Sequence, residues 1–316
     1  MRGGSASVAV PPPRRRAGAT LLLVLGIVAL ALSTLVLAAT TFHARLRLTR
    51  DTLRREEARD GLLACVSNAV ALLLADTNGV DHLGESWAAP LAEPPLRAGL
   101  EDESARIPLA VAGTNLLAEL LSPELAGDAS GPFRPGDAGE GTSPLAASLA
   151  AWRDQWRSEH RGEDPPSLGF YLDALGPAGP AQAASLAALA TPHGSGPVNL
   201  NTASPAVVAL LLRACGAAPP LADEMAGRLA AARASGAVAV SPGRRTLAAF
   251  LIGPGRPPTD AEAAVLASAE PLFGTSSDLF RGRFECPAPA VSFTFVYDRS
   301  ARRFLLWDES PAPWRP

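Results

Sequence analysis

The residues best able to do chemistry in this chain are few and scattered. Its four histidines, His43, His82, His160 and His193, stand alone, and neither they nor Cys65, Cys215 and Cys286 fall at zinc-ligand spacing. No Gly-x-Ser-x-Gly elbow or P-loop occurs, so serine, histidine and aspartate are present without a pattern that would join them in catalysis. Oxygen ligands crowd in one place, Asp76, Asn78, Asp81 and Glu85, which are the calcium candidates of the chain. Gly79 is out of EF-hand register there, and a turn closing a helix explains the same residues. Asp128, Asp137 and Glu140 lie in the Gly- and Pro-broken run GDASGPFRPGDAGEG, where acids serve to solvate a loop. These residues point away from an enzyme.

Phosphate binding is the other chemistry to weigh. In GPVNLNTASPAVVALLLRACGAAPPLADEMAGRLAAAR, Thr202, Ala203 and Ser204 can cap a helix with Pro205 in its first turn, and Leu221, Met225 and Leu229 continue as a second helix after a short loop. The unit, about residues 197–234, resembles a helix-hairpin-helix, a module that elsewhere cradles DNA phosphates on backbone N–H groups. Here Gly216 stands alone, Pro219 and Pro220 donate no N–H, and Asp223 and Glu224 open the second helix with charge that repels phosphate. Protein packing is the expected role.

The elements that position these groups begin with a membrane span. Ala17 to Phe42 contains no charged residue, enough helix at about 1.5 Å per residue to cross a roughly 30 Å hydrocarbon layer. Arg14, Arg15 and Arg16 precede it, which favours a cytoplasmic N-terminus, although Arg45, Arg47 and Arg50 follow it. Helix formers continue without proline to near Asp76, with Leu46, Leu53, Leu62, Leu63, Val66, Val70 and Leu73 at helical spacing. One long helix is expected, its second half packed on a globular domain. Helical patterns recur from Asn115 to about Leu125, from Leu145 to His160, and in SLGFYLDAL and AQAASLAAL. Trp152 and Trp156 suit core packing, with Asp154 between them. The C-terminal part alternates with period two through Val291, Phe293, Phe295 and Tyr297, and Leu279 to Glu285 and Arg303 to Trp307 should pair on either side of it. Cys65, on the apolar side of the long helix, and Cys286, in that sheet, are a possible disulfide; buried free thiols are the alternative.

Length and charge agree with this plan. The 316 residues allow about two domains. The 28 basic residues, all arginine, and 31 acidic ones leave a formal charge of -3, so no overall positive field recruits nucleic acid.

The basic leader ending in Gly18 directly before RRRAGATLLLVLGIVALALSTLVLAAT's apolar run resembles a type IV prepilin signal, which implies cleavage between Gly18 and Ala19 by a prepilin peptidase. Most pilin-like subunits carry glutamate at the fifth mature position; this chain has Leu23, a habit of the K-type minor pseudopilin of type II secretion. With VDHLGESWA, DESARIPLAV, VNLNTAS and the closing strands, the chain resembles that family (general secretion pathway protein K) from Arg14 to about Trp307. ARIPLA departs from the family pattern, and Pro108 makes its strand an edge or a bend.

The resemblance implies an α+β, pilin-like fold with a long N-terminal transmembrane helix, a small antiparallel sheet and a large inserted α-helical domain containing the helix-hairpin-helix (SAM-like) module. The implied divisions are a leader to residue 18, the helix at 19–76 with its membrane part at about 19–42, pilin-like chain at 77–113, the insert at 114–274 and the last strands at 275–310. It further implies a non-catalytic subunit at the pseudopilus tip, anchored once in the inner membrane with a periplasmic globular domain. Its partners would be the I and J minor pseudopilins, the prepilin peptidase and the inner-membrane secretion platform. The competing expectation is a membrane-tethered DNA receptor of the competence type. Related proteins hold calcium in the inserted domain, but no ligand set maps onto this chain.

Overall fold

The computed structural model describes residues 14–94, 96–122, 143–241, 243–253 and 255–310. Asp128, Asp137, Glu140 and the Gly-rich run around them lie outside the described residues. The chain divides into two compact units, Met1–Ala58 and Arg59–Pro316.

The first unit is helical. Helix α1 runs Arg14–Ala75, against the expected end near Asp76, and its membrane-length apolar part leaves Leu22, Leu25, Leu30, Leu35 and Leu37 exposed. A helix apolar on every side and covered by none of its own chain suits a lipid surround.

In the second unit, the last turns of α1 bury Leu62, Cys65, Val66, Ala69 and Leu73 along one stripe, each large side chain contributing about 1.5 to 3 kcal/mol by leaving water. Arg59 pairs with Glu309 at 2.9 Å, which holds this end of the helix beside the sheet. That sheet has strands β1 (Arg97–Asp102), β6 (Leu279–Pro287), β7 (Ala290–Asp298) and β8 (Arg303–Ser310), all antiparallel in the order β1-β6-β7-β8. The three C-terminal strands are those read from the period-two pattern; β1 adds a fourth. Register places Leu100, Gly282, Phe295 and Trp307 in one rung, and Asp102, Phe280, Tyr297 and Phe304 in another. Aromatic contacts tie the rungs together, with ring centroids of Phe284 and Phe295 at 5.2 Å and of Phe295 and Phe304 at 5.4 Å. Gly282 is required here, because a Cβ would intrude into the Phe295 ring.

Between β1 and β6 lies a helical block: α2 (Thr114–Leu120), α3 (Pro144–Glu159), α4 (Leu168–Ala174), α5 (Gly179–Leu189), α6 (Pro205–Ala214), α7 (Pro219–Ala234), α8 (Arg244–Leu251) and α9 (Asp260–Ala269). Helix α6 is buried from Val207 through Leu212 without a break, so it runs through the centre of the block. Trp152 packs edge-on against Tyr171 at 5.4 Å while Trp156 stacks on His160 at 3.9 Å. Both ends of the block are pinned by short parallel ribbons. β2 (Ile107–Pro108) pairs with β3 (Ala190–Thr191), and β4 (Val198–Asn199) with β5 (Phe273–Gly274). Pro108 thus sits in a two-residue ladder, where a missing N–H costs little.

Candidate functional site

The residues VNLNTAS begin at β4 and end at the N-cap of α6; Asn199 and Thr202 join the helical block to the sheet side, and Asn201 and Ser204 fasten the block itself. Asn199 is fully buried. Its amide nitrogen lies 3.0 Å from Asp102 Oδ2, 2.7 Å from Ser277 Oγ and 3.1 Å from the Asp81 carbonyl, and its oxygen accepts from the Asn201 N–H at 2.9 Å. Asp102 also accepts from the Ser277 hydroxyl at 2.5 Å, from the Ser104 N–H at 2.8 Å and from the Thr202 hydroxyl. Burial pushes the Asp102 carboxyl above its ordinary value, against the pull of these donors. Asn201 exchanges two hydrogen bonds with Ala239, donating at 3.0 Å and accepting at 2.8 Å, which fastens the chain after α7. Arg233 donates to the carbonyls of Ala203 and Leu200, and burial lowers its pKa to about 10. Ser204 caps α6 by accepting from the Val207 N–H. The site is a structural joint in which the Ser277 hydroxyl is spent on the Asp102 carboxylate.

In the hairpin between α6 and α7, the glycine N–H that would face a phosphate is occupied. Gly216, at positive φ, donates to the Arg213 carbonyl at 2.8 Å and Ala217 to the Leu212 carbonyl at 3.0 Å, a glycine-closed helix end. Arg213 pairs with Asp223. The Gly216 and Ala217 N–H groups are thus spent on closing the helix.

The carboxylates proposed for calcium do gather: ligand atoms of Asp76, Asp81 and Glu85 lie within 4.8 Å of one another. A guanidinium stands among them. Arg299, on the turn between β7 and β8, bonds both oxygens of fully buried Asp81 at 2.8 Å and reaches Asp76 at 3.4 Å. Burial opposes its charge, but Asp81 outweighs that and raises the Arg299 pKa. Asn78 and the Trp87 indole donate to Glu85 at 2.6 Å each, and Ser277 N–H donates to Asp81 at 2.6 Å. The turn is a second joint, tying the end of α1 to the sheet, and sequence spacing gave no sign of Arg299.

A polar cleft of about 770 Å³ runs beside the joint, lined in part by Glu103, Arg106, Thr191 and His193. Glu103 is fully buried and takes two bonds from Arg281, at 2.8 and 2.6 Å, and one from Arg106 at 3.2 Å. Burial pushes this carboxyl up, yet the Arg281 bonds and the charges of both arginines prevail and hold it below the usual range. Burial lowers the His193 pKa and favours the neutral ring.

Cys65 and Cys286 are both buried and, with Cys215, carry free thiols. Gly18 and Ala19 lie within α1, and Leu23 is exposed on its apolar stretch.

No protein-family model matches the sequence, and no curated protein matches it. Solved structures do match in fold. A chain of the GspK–GspI–GspJ complex from the type 2 secretion system of enterotoxigenic Escherichia coli superposes with a TM-score of 0.54 at 12% identity, over 83% of this chain and 99% of that one. The long apolar helix, small antiparallel sheet and multi-helix block are therefore a pilin-like α+β fold of the kind found in that complex.

Proposed function

We propose that this chain is a K-type minor pseudopilin, a structural subunit of a type II secretion pseudopilus, held in the inner membrane by residues 19–42 after cleavage between Gly18 and Ala19. One observation carries the reading: a fold that covers 99% of a chain from a GspK–GspI–GspJ complex, joined to an uncovered apolar helix long enough to cross a bilayer. The reading divides the chain into an insert at 114–274 (its helix-hairpin-helix at about 197–234) with pilin-like chain on either side.

A tip position fits two features. Leu23 supplies no carboxylate for the N-terminal amine of a subunit ahead, and a buried carboxylate there would cost about 2.5 to 3.5 kcal/mol in lipid unless so paired. The helical block enlarges the globular part on one subunit beyond what repeated stacking tolerates. Assembly with I- and J-type pseudopilins, processing by the peptidase and docking to the secretion platform complete the reading. The joints at Asn199 and Arg299 keep the inserted block rigid on the sheet and need no catalyst. Calcium at the 76–85 turn would have to displace Arg299.

The DNA-receptor alternative loses support from the hairpin, whose N–H groups close α6. The test is co-expression with the I and J pseudopilins encoded beside it: a purified ternary complex, and a mature chain beginning at Ala19 by intact mass, are expected. Salt-sensitive DNA binding without that complex, or a mature chain beginning near Thr40, would overturn the reading. Leu23→Glu should lower the amount of subunit recovered in membranes without improving secretion; better incorporation would argue against the tip.

A further inference from the structure

The three arginines that follow the span run against the tendency of basic residues to stay on the cytoplasmic side. Arg45, Arg47 and Arg50 are exposed on α1, and among the described residues none bonds their guanidinium groups. The first carboxylate of the whole sequence is Asp51, and no ion pair joins it to Arg47 one turn earlier. Each helical position turns by about 100° and rises about 1.5 Å, so Arg47 and Arg50 stand roughly 200° and 140° around from Arg45 within about 8 Å of axis. A one-sided partner would select one face. Arginines spread around the circumference within about 8 Å of axis, directly beyond the end of an uncharged membrane-length run, match surroundings alike on all sides, as a headgroup layer at that depth is.

We propose that Arg45, Arg47 and Arg50 form a collar that binds the phosphates of anionic phospholipids at the outer end of the membrane span. The proposal rests on the reading of residues 19–42 as membrane-spanning. The collar begins three residues beyond Phe42, the last residue of the uncharged run. The occupant follows from charge and from continuity with the lipid-facing surface: a planar guanidinium forks onto phosphate oxygens, and an anionic leaflet concentrates them. The collar fixes how deep the helix sits and must release its phosphates before the subunit can be drawn out of the bilayer.

The full-length protein, reconstituted in phosphatidylcholine vesicles carrying a trace of spin-labelled phosphatidylglycerol or spin-labelled phosphatidylcholine, reads the headgroup preference directly. The phosphatidylglycerol label should associate with the helix about fivefold more than the phosphatidylcholine label at low salt, roughly the effect of one arginine near an anionic surface, and the excess should fall at high salt. Arg45→Gln, Arg47→Gln and Arg50→Gln together should remove the preference, and the corresponding three lysine substitutions should keep most of it. A wild-type ratio near one, or a preference untouched by the glutamines, overturns the collar. So does an arginine-dependent grip on acidic residues of a partner subunit with no headgroup preference. Mixing the same vesicles with the I and J pseudopilins separates the two claims: a complex without headgroup preference removes the collar alone, and a preference without a complex supports the collar and removes the pseudopilin reading.

Discussion

Asn199→Asp exchanges one amide nitrogen for oxygen at the centre of the joint, and its consequence can be worked out. The nitrogen sits 3.0 Å from Asp102 Oδ2 and 2.7 Å from Ser277 Oγ. Losing its two hydrogens removes about 2 kcal/mol of net hydrogen bonding. The new carboxylate would also lie against Asp102, where two adjacent carboxylates cannot both ionise, so the folded state must keep a proton. Near pH 7, holding a proton on a group that titrates at about 4 when unfolded costs about 4 kcal/mol. The total, about 6 kcal/mol, is comparable with the whole stability of many domains. The sign with pH follows: the folded variant binds more protons than its unfolded chain, so its deficit shrinks by about 1.4 kcal/mol per unit as pH falls from 7 towards 4. Asp102 in the parent chain, raised by burial, has the same sign. Urea unfolding of the detergent-solubilised protein, followed through tryptophan fluorescence, measures it; Trp87 is buried against Phe280 at 5.1 Å and reports on this region. A deficit below about 1 kcal/mol at neutral pH, or one that does not change with pH, would refute the joint as described.

Gly282→Val should destabilise by about 3 kcal/mol or more, since the side chain must displace Phe295 from a ring cluster that cannot yield; an unchanged melting temperature would contradict that packing. Glu103 has the opposite pH sign to Asp102. Its folded pKa is lowered, so its stabilisation is present above the ordinary carboxylate value of about 4.3 and is lost as pH falls through the folded pKa, and Glu103→Gln should cost about 3 kcal/mol at pH 7 while removing that acid-side slope. In an oxidising compartment Cys65 and Cys286 are proposed to close a bond, leaving Cys215 as the single thiol in denatured, unreduced protein; a count of three thiols rejects the pair.

The elements legible in the sequence were those whose signal is local. The apolar run and its helical continuation placed α1 to within one residue of its end, and alternation placed β6, β7 and β8, because each signal repeats within a few positions of itself. Strand β1 escaped because its inward residues are Ala98, Leu100 and Asp102: a small residue, one leucine and a charge do not look like a buried face until a partner for the charge is known. Helices α8 and α9 escaped as well, lying in an alanine-rich stretch broken by Gly243, Gly253 and Gly255. The candidate site was half legible. VNLNTAS announced a helix cap, and Ser204 is that cap, but Asn199, Asn201 and Thr202 are explained by atoms 38 to 118 residues away.

Arg299 is the extreme case, since Asp81 lies 218 residues before it. A carboxylate cluster read from spacing alone suggests a metal, because spacing shows the ligands and not the cation. The same charge is neutralised here by a side chain from the far end of the fold, and with arginine as the only cationic residue, forked bidentate pairing is the form such neutralisation takes. Two separated pieces of chain, the β7–β8 turn and the VNLNTAS segment, thus converge on Asp81, and VNLNTAS reaches Asp102 as well, so the inserted block is locked to the sheet by polar groups that only the completed fold brings together.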